Sequence, residues 1–161
     1  MSALKMTSVG VQLICEFEGY RDAAYLDVAG VWTIGYGTTR CSGTPVTSGM
    51  TCTEEQARAW FHDDLVQFEH GVNGIAPTSI LQYQFDACVC LAYNIGVGGF
   101  SKSTIGRKVR AGNMATVTEA NFVAWNKIRN NHGMLVESNG LTRRRKSEYY
   151  LFSTGKIKTQ F

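Results

Sequence analysis

The chain has 161 residues, 44% of them hydrophobic, only two prolines and a net charge of +3; this fits one ordered domain with a sizeable core and excludes a long disordered tail. No apolar run approaches the ~18 residues of a membrane span, and the start Met1-Ser2-Ala3-Leu4-Lys5-Met6, soon followed by Gln12 and Glu16, lacks the apolar centre of a signal peptide. Synthesis in the cytoplasm without a Sec signal is the expectation. The charge is uneven, −6 over residues 1–101 and +9 over residues 102–161, which points to an anionic polymer as partner without choosing among nucleic acid, anionic lipid and bacterial wall.

Thr7 or Ser8 is placed to cap a first helix whose apolar positions Val9, Leu13, Ile14 and Phe17 follow helical spacing, with Gly19 at its end. From 22 to 40 the pattern changes. Tyr25, Val28, Val31, Trp32, Ile34 and Tyr36, interleaved with Gly30, Gly35 and Gly37, read as short strands and tight turns. A loop from Cys41 to Met50 follows. Thr53-Glu54-Glu55-Gln56 is a capping box, and Ala57, Phe61, Leu65 and Phe68 form an amphipathic stripe that predicts a helix to about Gly71 connecting two lobes. Residues 79–95 are apolar on nearly every face and predict a buried helix, stopped by Gly96, Gly98 and Gly99. Three shorter helices are predicted at 103–111, 115–128 and 141–153, the last closed by Gly155. One small β-region near the front and helices elsewhere make an α+β protein.

The cysteines at 15, 41, 52, 88 and 90 form no zinc pattern, and neither metal nor cofactor is expected. Cys15, Cys88 and Cys90 read as small buried hydrophobes. Cys41 and Cys52 bracket the Gly/Pro/Thr-rich loop and are able to join in an oxidising compartment, where loop closure would contribute on the order of 2–3 kcal/mol.

Three residues carry the candidate chemistry. Glu18 lies at the C-terminal end of the first helix, Asp27 in the first short strand, and Thr33 in the return strand. A hairpin folded near Gly30 is expected to bring 27 and 33 close across the ladder. One carboxylic acid on a helix end plus a carboxylate and hydroxyl on an adjoining hairpin suits glycoside hydrolysis by inversion, which needs an acid and a water-activating base roughly 6.5–9.5 Å apart. The negative end of the helix dipole disfavours a carboxylate, the direction a general acid requires. Taken singly, each of the three is an ordinary surface residue; Glu16, the rival carboxylate, reads as a solvated helix residue.

The surrounding blocks give them weight. Glu18-Gly19-x-Arg21 and Ala24-Tyr25-x-Asp27-x-x-Gly30-x-x-Thr33-Ile34-Gly35-Tyr36-Gly37 resemble the signature of the phage-type lysozymes, glycoside hydrolase family 24. So do Ala92-Tyr93-Asn94-Ile95-Gly96, Gly99-Phe100, Trp125-Asn126, and the run Gly140-Leu141-x-Arg143-Arg144 with Glu148 and Phe152. The resemblance implies a lysozyme-like fold with an N-terminal helix and β-lobe over about 1–52, a connecting helix over about 54–71 and a helical lobe over about 75–161. It implies hydrolysis of the β-1,4 bond from N-acetylmuramic acid to N-acetylglucosamine in peptidoglycan. Glu18 takes the part of general acid, Asp27 of general base and Thr33 of water-positioning residue. Arg144 is placed against Glu18, and Tyr93 and Ser103 match positions lining the glycan cleft. Many relatives have His after Ile-Gly-x-Gly, where this chain has Thr38; any contact that His makes is replaced or absent.

The run Arg143-Arg144-Arg145-Lys146 reads as Arg144 turned inward, supported by Glu148, with the other cations solvated and drawn to anionic wall polymer or outer-membrane lipid. Two other functions compete. A lytic transglycosylase needs the acid but not Asp27, and a non-enzymatic binder would rest on the basic C-terminal part. Specific nucleic-acid binding is not expected, because Tyr149, Tyr150 and Phe152 keep a helical spacing with Leu141 that suggests core packing. The resemblance further implies a monomer, stored in a host cytoplasm and acting in the periplasm after release through a holin pore.

Overall fold

A computed structural model describes residues 3–161 apart from Val28; Val28, counted above among the strand residues, and the opening Met1-Ser2 lie outside the described residues. The chain divides into two compact units, one of residues 14–67 and one of residues 1–13 with 68–161.

In the unit of residues 14–67, helix α1 (Ser8–Glu18) ends where the Gly19 N–H closes onto the Cys15 carbonyl at 3.0 Å. Strand β1 (Arg21–Leu26) pairs antiparallel with β2 (Trp32–Gly35) in the register Tyr25 to Thr33 and Leu26 to Trp32, whereas Arg21 pairs with Gly35. The extra residues in β1 are accommodated because Asp22 to Ala24 turn to residues 50–52 instead. Ala24 donates to the Met50 carbonyl and Cys52 to that of Asp22, both at 2.8 Å. The expected loop 41–50 contains its own two-residue hairpin, β3 (Arg40–Cys41) with β4 (Thr44–Pro45). Its turn residues Ser42 and Gly43 both have positive φ, as a tight hairpin demands.

Helix α2 (Glu54–Asn73) starts on the predicted capping box. The Gln56 N–H donates to Thr53 Oγ1 at 3.2 Å, and the Thr53 N–H to Gln56 Oε1 at 2.9 Å. Ile14, Ile34, Tyr36, Val46, Ala57, Phe61 and Leu65 are buried as the core of this unit. Gly35 is obligatory there. Its φ is +64, and a Cβ would stand 2.8 Å from the Cβ of Ala57.

The other unit is built on α3 (Gln82–Ile95), whose residues Phe85 to Ala92 are all buried. The helix begins three residues later than the apolar pattern suggests. Ile80 is held in a turn on the Pro77 carbonyl, and Leu81 takes the capping position with its N–H on Gln84 Oε1 at 3.1 Å. Gly96 ends α3, but Gly98 and Gly99 do not stop helix formation. They lie inside α4 (Val97–Lys102), followed by α5 (Thr104–Arg110). The helix predicted at 115–128 is corrected more strongly. It resolves into a 3-10 turn (Met114–Thr116), a short α6 (Glu119–Val123) and a hairpin of β5 (Lys127–Arg129) with β6 (Leu135–Glu137). Asn130 and Gly133 make the turn, through the Met134 N–H on Asn130 Oδ1 at 3.0 Å and the Gly133 N–H on the Asn130 carbonyl at 2.9 Å. Helix α7 (Asn139–Thr154) closes the unit, and Gly155 ends it in the left-handed conformation.

Before α1, residues 4–7 are strapped to this same unit. Leu4 exchanges hydrogen bonds with the Asn73 side chain, Met6 donates to Glu69, and the Thr7 N–H and hydroxyl both donate to Asp86. The Thr7 hydroxyl is thus spent on α3 rather than on capping α1. No helix among the described residues is long and apolar enough to cross a membrane.

The tightest backbone approach is at Gly106, where a Cβ would lie 2.2 Å from the Phe100 carbonyl oxygen. Because backbone rather than a flexible side chain is in the way, Gly106→Ala is expected to cost about 1–3 kcal/mol, the range of an overpacked core, read as a lower urea midpoint with unchanged slope.

Candidate active site

Glu18 is the last residue of α1 and half-buried. Two residues of turn separate it from β1, and the second, Tyr20, is anchored by its hydroxyl on the Cys52 carbonyl at 3.0 Å. The helix end and the hairpin are therefore joined by a fixed link. Glu16 is exposed on α1, as expected of a solvated residue.

Asp27 lies one residue beyond β1 rather than within it. Its backbone N–H donates to the Val31 carbonyl at 3.0 Å, and its carbonyl accepts from Gly30 at 3.0 Å. Its Oδ1 accepts two more bonds, from the N–H groups of Ala29 and Val31, each at 2.8 Å. The side chain thus mimics a backbone turn, which Gly30 completes with a φ of +77. Thr33 is 4% exposed, and its hydroxyl donates to the Val31 carbonyl at 3.0 Å.

The register differs from the simple symmetry of the numbering. Thr33 faces Tyr25, so Asp27 is level with Val31 and diagonal to Thr33. Diagonal positions on an antiparallel pair lie on the same face. Both side chains therefore bond to one residue, Val31, from the same side of the ribbon. Asp27 keeps its second oxygen off the turn, and Thr33, having given its proton to Val31, presents its oxygen as an acceptor.

Thr38, at the position where relatives carry His, is fully buried. Its N–H and carbonyl both pair with Ile34, and its hydroxyl donates to Asp64 Oδ2 at 2.8 Å. A short neutral donor on α2's carboxylate stands where the larger imidazole would. Burial raises the Asp64 carboxyl above its ordinary range, with the Thr38 hydrogen bond pulling down and the neighbouring Asp63 pushing up.

The remaining positions belong to the other unit. Tyr93 is half-buried, its ring 5.1 Å from that of Phe68. Ser103 is 4% exposed and caps α5. Its hydroxyl donates to the Phe100 carbonyl at 2.6 Å and accepts from Gly106 at 2.9 Å. Arg144 is turned inward with its Nε 3.2 Å from Glu148 Oε1. Arg145, expected to be solvated, is instead completely buried. Its Nη2 lies 2.7 Å from Asn94 Oδ1 and 3.2 Å from Glu148 Oε1. Glu148, 1% exposed, therefore serves two arginines, and only a buried carboxylate makes two buried guanidiniums tolerable. Sequence reasoning also missed a groove of about 610 Å³ beside the β5–β6 hairpin, lined by Asn94, Trp125, Lys127, Ile128, Leu135 and Leu141. Among the described residues no group of His, Cys, Asp and Glu is arranged to hold a metal ion.

The Thr38–Asp64 contact gives two expectations. Thr38→Val leaves the half-buried carboxylate without this donor and should cost about 1–3 kcal/mol. A raised carboxyl means the folded state keeps the proton to higher pH than the unfolded chain, so stability falls as pH rises from the ordinary carboxylate range through the raised value. Asp64→Asn should flatten that decline, measured by urea unfolding at a series of pH values from roughly 4 upward.

Residues 15–148 match the phage lysozyme family. The chain is 36% identical over 157 residues to an endolysin of Bacillus phage B103, covering 96% of this chain but 56% of that relative, so it spans about half of that protein's length. It is 34% identical over 151 residues to an endolysin of Acyrthosiphon pisum secondary endosymbiont phage 1, covering 94% of this chain and 99% of the relative. Among solved structures, an endolysin from Escherichia coli O157:H7 phage FAHEc1 superposes with a TM-score of 0.90 at 36% identity, covering 98% of each chain. The α+β fold is thus lysozyme-like, and the chain belongs to the phage lysozyme family.

Proposed function

We propose that this chain is an endolysin-type muramidase. It hydrolyses the β-1,4 bond from N-acetylmuramic acid to N-acetylglucosamine in bacterial peptidoglycan, with inversion, and so lyses the cell. The observation that carries this reading is the arrangement of Asp27 and Thr33 around Val31, in the same compact unit as Glu18. A water that donates one hydrogen to the free oxygen of Asp27 and the other to Thr33 Oγ1 has its lone pair left for the anomeric carbon. Asp27 takes the proton as the carbon–oxygen bond forms, and Glu18 gives its proton to the departing sugar oxygen as the glycosidic bond breaks. Solvent returns both carboxyls to their starting states.

Arg144, Tyr93 and Ser103 keep the parts that the resemblance gives them, as support of the acid and as glycan-lining positions. The charge of +9 over residues 102–161 supports attraction to anionic wall polymer, and by the same chemistry to anionic outer-membrane lipid. The enzyme acts as a monomer on the periplasmic wall after release from the cytoplasm in which it is made, through a holin pore.

Purified protein should release reducing ends from Gram-negative peptidoglycan. Glu18→Gln and Asp27→Asn should each lower the rate by about 10²–10⁴-fold. Thr33→Val should lower kcat by up to about 10²-fold through a misplaced water, with little change in KM. Mass spectrometry of the muropeptides separates the alternatives. A product lighter by one water, made equally well by Asp27→Asn, would be that of a lytic transglycosylase and would overturn the hydrolytic reading.

A further inference from the structure

The β5–β6 hairpin has no part in the proposed chemistry, yet all six of its strand residues are exposed, so the ribbon projects from the helical body. Its base is held in place. The Ser138 N–H donates to the Asn126 carbonyl at 2.8 Å, and Asn126 Nδ2 donates to Thr142 Oγ1 at 2.9 Å. Its turn is held too, with Arg129 Nη1 on the Gly133 carbonyl at 2.7 Å. What this fixed ribbon offers to solvent is largely apolar. Ile128, Met134, Leu135 and Val136 are 48%, 58%, 59% and 36% exposed, four of the eleven exposed large hydrophobics among the described residues. They form a cluster rather than the scattered single side chains of an ordinary surface. Ile128 pairs with Val136, and the Asn130 N–H bonds to the Met134 carbonyl. By strand alternation Ile128, Met134 and Val136 share one face, and Lys127, Arg129 and Leu135 the other.

The chemistry of the apolar face selects its partner. A glycan strand needs side-chain donors and acceptors, but Ile128 and Val136 have none and Met134 only a thioether. Asn130 on the same face spends its Oδ1 on the N–H groups of His132 and Met134. A second copy or another protein needs roughly 800 Å² per partner for a stable interface, and the four side chains present on the order of 400 Å². A bilayer needs no matched shape, only apolar side chains to enter it and cations for its headgroups. Lys127 and Arg129 on the ribbon, and Arg143 one residue after the Thr142 anchor, are all exposed, against the single hairpin carboxylate of Glu137. Trp125 and Leu141 line the groove beside the ribbon and extend the apolar surface.

We propose that the β5–β6 hairpin is a membrane-docking element. It seats Ile128, Met134 and Val136 at the acyl boundary of a bilayer whose anionic headgroups meet Lys127, Arg129 and Arg143. This rests on the attraction to anionic lipid proposed above and moves it from the whole basic stretch to one hairpin. Arg144 and Arg145, the centre of the run of four cations, are buried on Glu148 and take no part.

The intact chain is sedimented with vesicles of phosphatidylglycerol and phosphatidylethanolamine, or of phosphatidylcholine alone. It should bind the anionic vesicles at least about tenfold more tightly than the neutral ones. The triple variant Ile128→Thr, Met134→Gln, Val136→Thr keeps β-branched side chains in both strands, so its Tm should match that of the wild type. Its affinity for the anionic vesicles should fall at least about tenfold, and Met134→Gln alone, beside the turn, should show a smaller loss in the same direction. Lys127→Gln with Arg143→Gln should weaken binding more than Lys156→Gln with Lys158→Gln, which removes the same charge elsewhere. Equal binding by the wild type and these hairpin variants would leave the lipid attraction standing and overturn the docking role. A wild type that binds neither vesicle would overturn both. A wild-type dimer in analytical ultracentrifugation that the triple variant makes monomeric would instead turn the face into an interface between copies. Release of reducing ends from lipid-free sacculi should be unchanged in the triple variant, so the muramidase reading fails or succeeds independently.

Discussion

One carboxylate oxygen holds together the hairpin that carries the proposed base. Asp27 Oδ1 accepts from the N–H groups of Ala29 and Val31, and this pair of hydrogen bonds fixes where the chain reverses and so which residues of β1 and β2 face each other. With the turn set at Asp27, Thr33 falls opposite Tyr25, and its hydroxyl reaches the Val31 carbonyl. The proposed base is therefore also the keystone of the turn. Its substitution tests structure and chemistry at once, which makes the conservative Asn, able to accept the same two bonds, the informative replacement.

The rest of this unit serves to keep that ribbon in place. Gly35 lets β2 lie flat on Ala57 of α2. Tyr36 packs on Tyr20 and Phe61, and its hydroxyl donates to Glu54 at 2.8 Å. Burial and that carboxylate push the Tyr36 phenol up to about 12, so it remains a donor at any pH at which the protein works. Thr38 extends the same logic, tying the turn after β2 to Asp64, about two turns beyond Ala57 on α2. In the other unit the comparable constraint is ionic. Glu148 pairs with both Arg144 and Arg145 inside the helical core, and Asn94 takes up a further guanidinium N–H.

The sequence made much of this legible where the signal was local. The capping box at Thr53, the stop at Gly19 and the apolar run ending at Ile95 are decided within a few residues, and each stands as expected. What escaped depended on distant partners. Arg145 reads as solvated within a run of four cations; it is buried because Asn94, 51 positions away, accepts its N–H. The β5–β6 hairpin escaped because its strands have three exposed residues each and leave no buried alternation to read, although the Asn130 and Gly133 turn chemistry was visible. Gly98 and Gly99 looked like helix stops, but Gly96 alone breaks the chain and a new helix restarts directly after it. The candidate site was visible by spacing and family resemblance, while its register was not. The numbers 27 and 33 are symmetric about Gly30, yet the turn centres one residue earlier because Asp27 itself caps it.

The proposed reaction is a single displacement in which a water held by Asp27 and Thr33 attacks the anomeric carbon. The stereochemistry of the first product tests this most directly. Followed by proton NMR from the start of digestion of a soluble glycan strand, the new reducing end should emerge as the α anomer and only later equilibrate with the β form. A β anomer emerging first would mean that Asp27 attacks the sugar itself, and the water-holding role assigned to Thr33 would be contradicted.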